Sequence, residues 1–186
     1  MKSYVPSSSL PLLLLSVALL FAASCSAPEV PRNIPEEFLD GEGSTPENAF
    51  AEWVSIEDAV VQANQENKKI LVDVYTDWCG YCRKMEAETY TQDKVQAAIT
   101  DNFYAVKINA ESSERIQYGG DEISMQEFAM NLGVTSYPTT VFLMPDGEPL
   151  GFQPGFIDSE TFERLLVYVG DEVYEQDIPF NEFTLD

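Results

Sequence analysis

Ile70-Leu71-Val72-Asp73-Val74-Tyr75 is a short segment that is apolar on both of its alternating sides except at Asp73. A strand with no polar side must be covered on both faces, so this chain needs helices above and below a sheet. That requirement defines an α/β protein. The next hydrophobic strand, Phe103 to Ile108, is reached through two helical stretches, Cys79 to about Glu88 and about Asp93 to Ile99. The β-α-β order predicts parallel strands.

The remaining signals fit around that unit. Ser55 and Asp58 have capping-box spacing ahead of Ile56, Ala59, Val60 and Ala63, which predicts a helix to about Asn67. The polar stretch from Glu111 to Gly120, with two serines and the Gly119-Gly120 pair, reads as a loop. Ser124 and Glu127 form a further capping box, opening a short helix that Gly133 can close. Thr139 to Met144 and Leu150 to Gln153 are expected as two strands joined by hairpin chemistry at Pro145-Asp146-Gly147. Asp158 caps a last helix with Phe162, Leu165, Leu166 and Val167 on its buried side and Gly170 at its end. The acidic tail, residues 171–186, also holds Tyr174, Phe180 and Phe183, and its sequence leaves open whether it packs onto the domain.

A chain of 186 residues supports one such core, expected over residues 49–170. Residues 1–24 carry one base, Lys2, and an apolar run from Leu12 to Ala23 broken only by Ser16. The run is about a dozen residues, short of the roughly 20 of a spanning helix, and predicts a secretory signal peptide. Export places the domain where disulfides persist. Ala22-Ala23-Ser24 before Cys25 resembles the lipobox of bacterial lipoproteins, which implies a lipidated Cys25 holding the protein on a membrane. An ordinary cleaved signal with a free thiol is the alternative. Residues 25–48, rich in Pro, Gly, Ser and acids, read as a flexible linker. The net charge of −22 argues against nucleic acid and against docking on anionic lipid headgroups, since both need a basic patch. Solubility accounts for the acidity.

The chemistry centres on Cys79-Gly80-Tyr81-Cys82. This spacing also serves zinc, but a four-ligand site needs two further soft ligands, and the chain has no histidine and only Cys25 besides. A purely structural disulfide over so short a loop would contribute only about 2 kcal/mol. Redox exchange is the favoured use, with the disulfide itself as the only redox group, no other cofactor and no metal. Cys79 falls where a strand gives way to a helix, so N–H groups and the helix dipole favour its thiolate, the attacking form. Lowering a cysteine pKa by about 1.5 units takes about 2 kcal/mol. The dipole supplies about 0.3–1 kcal/mol of that, leaving the rest to N–H donors and Arg83. Cys82, one turn on, can resolve a mixed disulfide from within. Asp73, a carboxylate inside an apolar strand, is expected to have a raised pKa and to exchange a proton with Cys82, unless it faces solvent.

Ile70-Leu71-Val72-Asp73 followed by Trp78-Cys79-Gly80-Tyr81-Cys82 resembles the active-site region of thioredoxins. Thr76-Asp77-Trp78-Cys79 with Met85-Glu86-Ala87-Glu88-Thr89-Tyr90 is similar to the C-terminal domain of the bacterial electron transporter DsbD and its relatives. The likeness runs from about Trp53 to Gly170. It implies a thioredoxin fold, a central mixed sheet flanked by helices. Asp73 then matches the buried acid beneath the cysteines and Glu86 a second acid near them, though a solvated helix residue is the plainer reading of Glu86. Tyr137-Pro138-Thr139 resembles the family's cis-proline loop, which lies against the cysteines and lends backbone to a substrate strand; a trans proline at a strand start is the alternative. Trp78, Gly80, Tyr81, Tyr137 and Pro138 are therefore the expected substrate contacts.

Two departures stand out. Tyr81 replaces the thioredoxin proline, so no redox potential carries over, and the 111–123 connection is longer than in a minimal thioredoxin. The resemblance implies an envelope thiol–disulfide oxidoreductase facing the periplasm or cell surface. Acting as a monomer, it would draw electrons from an envelope donor and reduce disulfides of exported proteins. A disulfide oxidase or isomerase, or a thioredoxin-fold module that only binds, would use the same residues.

Overall fold

The computed structural model describes residues 53–185. The expected signal peptide, Cys25, the linker over 25–48 and the first residues of the expected domain lie outside them. The helix α1 (Ile56–Glu66) opens on Ser55, whose hydroxyl accepts from the Asp58 N–H at 3.0 Å. It closes at Asn67 in a left-handed conformation. Strand β1 (Lys69–Tyr75), helices α2 (Gly80–Glu88) and α3 (Asp93–Asn102), and strand β2 (Phe103–Asn109) follow. α3 runs one turn past Ile99, directly into β2. β1 and β2 are parallel, as the crossover order requires.

The region read as a loop contains a hairpin, β3 (Arg115–Tyr118) and β4 (Asp121–Ser124), paired from Arg115↔Ser124 to Tyr118↔Asp121. Its strands are four residues each and only Ile116 is buried among their apolar side chains, so no alternation announces them. Gly119 and Gly120, at φ 63° and 89°, are the turn: both central residues of a two-residue hairpin need positive φ. The full capping box of Ser124 and Glu127 then starts α4 (Met125–Asn131).

β5 (Thr139–Leu143) and β6 (Pro149–Pro154) complete a four-stranded sheet in the order β2-β1-β5-β6, with β5 antiparallel to β1 and β6 antiparallel to β5. Alternation along β1 divides the core. Ile70, Val72 and Val74 pack with Ile56, Ala59, Phe128 and Ala129 of α1 and α4. Leu71 points the other way, among Met85, Ile99, Phe162 and Leu166 of α2, α3 and α5. Both faces of β1 are covered, as its composition demanded.

α5 (Ser159–Gly170) is capped by Asp158, which accepts from the Thr161 N–H at 3.0 Å. Its buried residues are Phe162, Leu166 and Val169, whereas Leu165 and the expected Val167 are half-buried on its flanks. Gly170 is required by packing: a Cβ there would lie 2.5 Å from Asn102 Cγ. The tail packs back. Tyr168 meets Phe180 and Phe183 at ring distances of 5.4 and 5.6 Å and donates to the Ile178 carbonyl, and Arg164 lies over Phe180. Among the described residues no helix is long and apolar enough to cross a membrane.

The tail also neutralises a buried cation. Lys69 starts β1 with its side chain 5% exposed, and its Nζ meets Glu172 at 2.7 Å and the Gly170 carbonyl at 3.4 Å. Glu172→Gln removes the counter-charge from an ammonium that water barely reaches. An expected loss of about 1–3 kcal/mol follows, measurable by urea denaturation at pH 7. Unchanged stability would mean that solvent already screens the pair.

Candidate active site

Cys79 is the N-cap of α2 and is joined to Cys82 by a disulfide, with S–S 2.04 Å. Its Sγ accepts the Cys82 N–H at 3.0 Å, and its own N–H donates to the Thr76 carbonyl at 3.1 Å. The cap explains the geometry. A residue in this position turns its side chain back over the first helical turn, where N–H groups have no intrahelical acceptor, so the sulfur takes the place of a capping oxygen. Both cysteines are shielded, at 3% and 9% exposure, so exposure does not tell them apart. The N–H aimed at Cys79 does, because it would favour negative charge on that sulfur. The Arg83 guanidinium, expected beside the thiolate, donates instead to the Asp77 carbonyl at 2.8 Å.

Asp73 is buried, at 4% exposure, on the face of β1 that carries Leu71 and looks toward α2. Burial is the first cause of a carboxyl pKa raised to about 6; the Lys107 charge opposes the rise and the Glu86 charge adds to it, while the polar Tyr90 hydroxyl opposes it. Lys107 is the β2 register partner of Asp73, and its Nζ meets Glu86 Oε1 at 2.7 Å. The exposed Glu86 of α2 is thereby drawn to the rim of the same site. Three side chains from three elements share one electrostatic field.

Four connections converge around the dithiol at one end of the sheet. β5 is antiparallel to β1 with Thr139 opposite Val74, so the Tyr137-Pro138 bond, which is cis, arrives where β1 ends. The Pro138 carbonyl accepts from the Gly155 N–H at 2.8 Å, bringing Phe156 to the same rim. Trp78 and Tyr81, each 63% exposed, stand on either side of Cys79 in sequence. Trp78 packs edge-on to Tyr137 at 5.9 Å and donates its indole N–H to the Glu111 carboxylate at 3.0 Å, while Tyr81 leans toward Phe156 at 6.3 Å. Gly80, the first residue of α2, leaves only Arg83 Nη2 at 4.0 Å from where a Cβ would sit. Trp78, Gly80, Tyr81, Tyr137 and Pro138 lie at this end of the sheet, while Asp73 sits two residues inside β1 and Glu86 is tied to its register partner Lys107.

The neighbours that sequence did not single out are Lys107, Tyr90, Thr140, Glu111 and Phe156. Lys107 had a signal, being the one charge in an apolar strand next to the strand of Asp73. Glu111 had none, since it lies in a polar connection among other acids. Among the described residues no cluster of three or more His, Cys, Asp or Glu side chains is arranged to hold a metal ion.

Residues 56–170 match the thioredoxin-like domain family. The thiol:disulfide interchange protein DsbD of Escherichia coli is 30% identical over 112 residues, covering 58% of this chain and 18% of that protein. Among solved structures, a thioredoxin-fold protein from Helicobacter pylori superposes with a TM-score of 0.53 at 22% identity, covering 63% of this chain and 78% of that one. A thioredoxin from Thermus thermophilus also gives 0.53, at 21% identity over 64% of this chain and 87% of that one. These two likenesses show the fold. The chain spans less than a fifth of the length of the curated relatives it matches.

Proposed function

This chain belongs to the thioredoxin-like family, and from that membership we propose that it is a thiol–disulfide oxidoreductase of the bacterial cell envelope that reduces disulfides of exported proteins. The observation that carries the proposal is the Cys79–Cys82 disulfide at the N-terminus of α2, with the Cys82 N–H directed at the Cys79 sulfur. In the reduced protein the Cys79 thiolate attacks one sulfur of a substrate disulfide. That S–S bond breaks, a substrate thiolate leaves, and a mixed disulfide forms on Cys79. Cys82 gives its proton to Asp73 and its thiolate attacks the Cys79 sulfur. The second substrate thiol is released and the Cys79–Cys82 disulfide returns. Two electrons have passed to the substrate, so an envelope dithiol must restore the pair.

Several features support the assignment of roles. Burial lifts the Asp73 carboxyl to about 6, which brings it closer to the range of a thiol and suits it to proton exchange near neutral pH. Trp78, Gly80, Tyr81, Tyr137 and Pro138 offer an aromatic rim with backbone beside the sulfurs, suited to an extended substrate segment. Residues 1–24 as a signal peptide would direct export, and Cys25 as a lipid attachment point would then hold the domain on a membrane by its 25–48 linker, both outside the described residues.

The direction of electron flow is tested by the reduction potential of the couple, titrated against glutathione in a chain carrying Cys25→Ser so that one couple responds. A value near about −270 mV is expected of a donor to exported proteins. A value near about −120 mV would make the pair an oxidant and reverse the proposal.

A further inference from the structure

The connection after β6 brings a ring and a charge to the rim of the dithiol, and the exchange of electrons described above makes no use of the charge. Residues 155–157 are pinned at both ends. The Gly155 N–H donates to the Pro138 carbonyl at 2.8 Å, and the Ile157 carbonyl accepts the buried Thr89 hydroxyl at 2.7 Å where α2 ends. Between these pins Phe156 lies along one face of α2. Tyr81 and Lys84, three residues apart and so neighbours on that face, both meet its ring: the Tyr81 centroid is 6.3 Å from that of Phe156, and the Lys84 ammonium stands over the ring at 4.5 Å. A cation over an aromatic face is drawn to it by the ring quadrupole, which places the Lys84 charge beside Tyr81 of the dithiol loop.

That charge is open to a substrate. Glu88, its ion-pair partner among the described residues, is 3.8 Å away with both side chains exposed, and a pair of that kind is weak. The other cations around the site are engaged: Arg83 donates to the Asp77 carbonyl at 2.8 Å, and Lys107 is bonded to Glu86 at 2.7 Å. Spacing then says which substrate residue meets Lys84. Lys84 lies five residues beyond Cys79, about 7.5 Å along the helix axis. In an extended segment the residue two positions from a cysteine is about 7 Å away and points to the same side, whereas the immediate neighbours point to the other. The net charge of −22 repels every acidic partner alike, but at about 0.1 M salt it is screened beyond about 10 Å, so a contact charge decides between them.

We propose that Lys84 is a specificity-determining residue: its ammonium, carried on Phe156 beside Tyr81, selects disulfides of exported proteins in which an aspartate or glutamate stands two positions from the attacked cysteine in an extended segment. The inference rests on the reading of the chain as a disulfide reductase and adds the chemistry of the segment it reduces.

The test uses three peptide disulfides, each a dimer of one short peptide with a single cysteine. The first has aspartates two positions to either side of the cysteine, the second has the same aspartates moved to the adjacent positions, and the third has asparagines in place of the first pair. The reduced chain carrying Cys25→Ser is mixed with each in a single turnover, and peptide thiols are measured by chromatography; two appear for each Cys79–Cys82 disulfide formed. At low salt the first peptide is expected to be reduced about threefold faster than the asparagine peptide, the second to show no such advantage, and the advantage to vanish at about 0.5 M salt. Lys84→Gln should bring the ratio of the first to the third close to one, Lys84→Glu should invert it, and Lys84→Arg should keep it. Phe156→Leu, which removes the ring beneath the ammonium, should lower it by about half. Each ratio is taken within one variant, so a general loss of activity cancels. A ratio unchanged in Lys84→Gln and Lys84→Glu overturns the inference and leaves the reductase reading standing, as does an equal advantage for the adjacent aspartates. Failure of the unsubstituted site to reduce any of the three peptides overturns the reductase reading and this inference with it.

Discussion

Cys79→Ser is expected to lower disulfide reduction by on the order of a thousandfold or more, because a serine hydroxyl at that cap has almost no anionic fraction near neutral pH. Cys82→Ala should fail differently. It leaves the Cys79 sulfur at the start of α2 but removes the thiol that resolves the mixed disulfide, so partners accumulate on Cys79 as adducts that dithiothreitol releases. Non-reducing gels of envelope extracts would show the difference. Adducts on Cys82 in the Cys79→Ser variant, with none on Cys79, would reverse the assignment of attacking and resolving thiol. Partners that bind both variants and wild type alike, without a reducible bond, would instead identify a module that only binds.

Asp73→Asn is expected to stabilise the oxidised protein at neutral and alkaline pH while slowing its reaction. The sign follows from linkage. The folded-state pKa of about 6 lies above the ordinary aspartate value of 3.8, so the native state binds the proton more tightly than the unfolded chain. Stability from this group is therefore fully present below about pH 4 and is lost as pH rises through about 6. A shift of about two units corresponds to about 3 kcal/mol. Asparagine resembles the protonated acid and carries no buried charge. Urea denaturation at pH 4 and pH 8 should show the variant gaining about 3 kcal/mol over wild type at pH 8 and almost nothing at pH 4. An equal difference at both pH values would show that Asp73 titrates in its usual range. A buried charge that weakens the fold at working pH is consistent with a group kept for chemistry.

The parts of the site legible in the sequence are those whose neighbours are local. Cys79 and Cys82 lie three residues apart at a strand-to-helix junction, so their shared face and the N–H aimed at one sulfur depend only on the first turn of α2. Asp73 was visible as a break in the period-two pattern of a strand, and the burial that raises its pKa follows from the apolar residues on both sides of it. Ser55, Ser124 and Asp158 announced their helices for the same reason, since a cap is satisfied within three residues. The hairpin after β2 escaped because its strands bury too little to alternate. The Gly119-Gly120 turn was visible but had no flanking hydrophobic pattern to give it meaning.

Sequence by itself determined a β-α-β core with both sheet faces covered, a dithiol at a helix N-terminus and an acid inside the central strand, because each is set by residues within a few positions of one another. Only the tertiary structure decided what surrounds the acid. Lys107 stands beside Asp73 through the parallel register of β1 and β2, Thr140 through the antiparallel register of β1 and β5, and Tyr90 through the packing of Trp53 and Phe162 against its ring. A strand register carries no local mark, since slipping it leaves every residue's neighbours in sequence unchanged. The tail followed the same rule: its aromatics became a covering for α5 only once Tyr168 and Arg164 stood on the outer face of a folded helix to receive them.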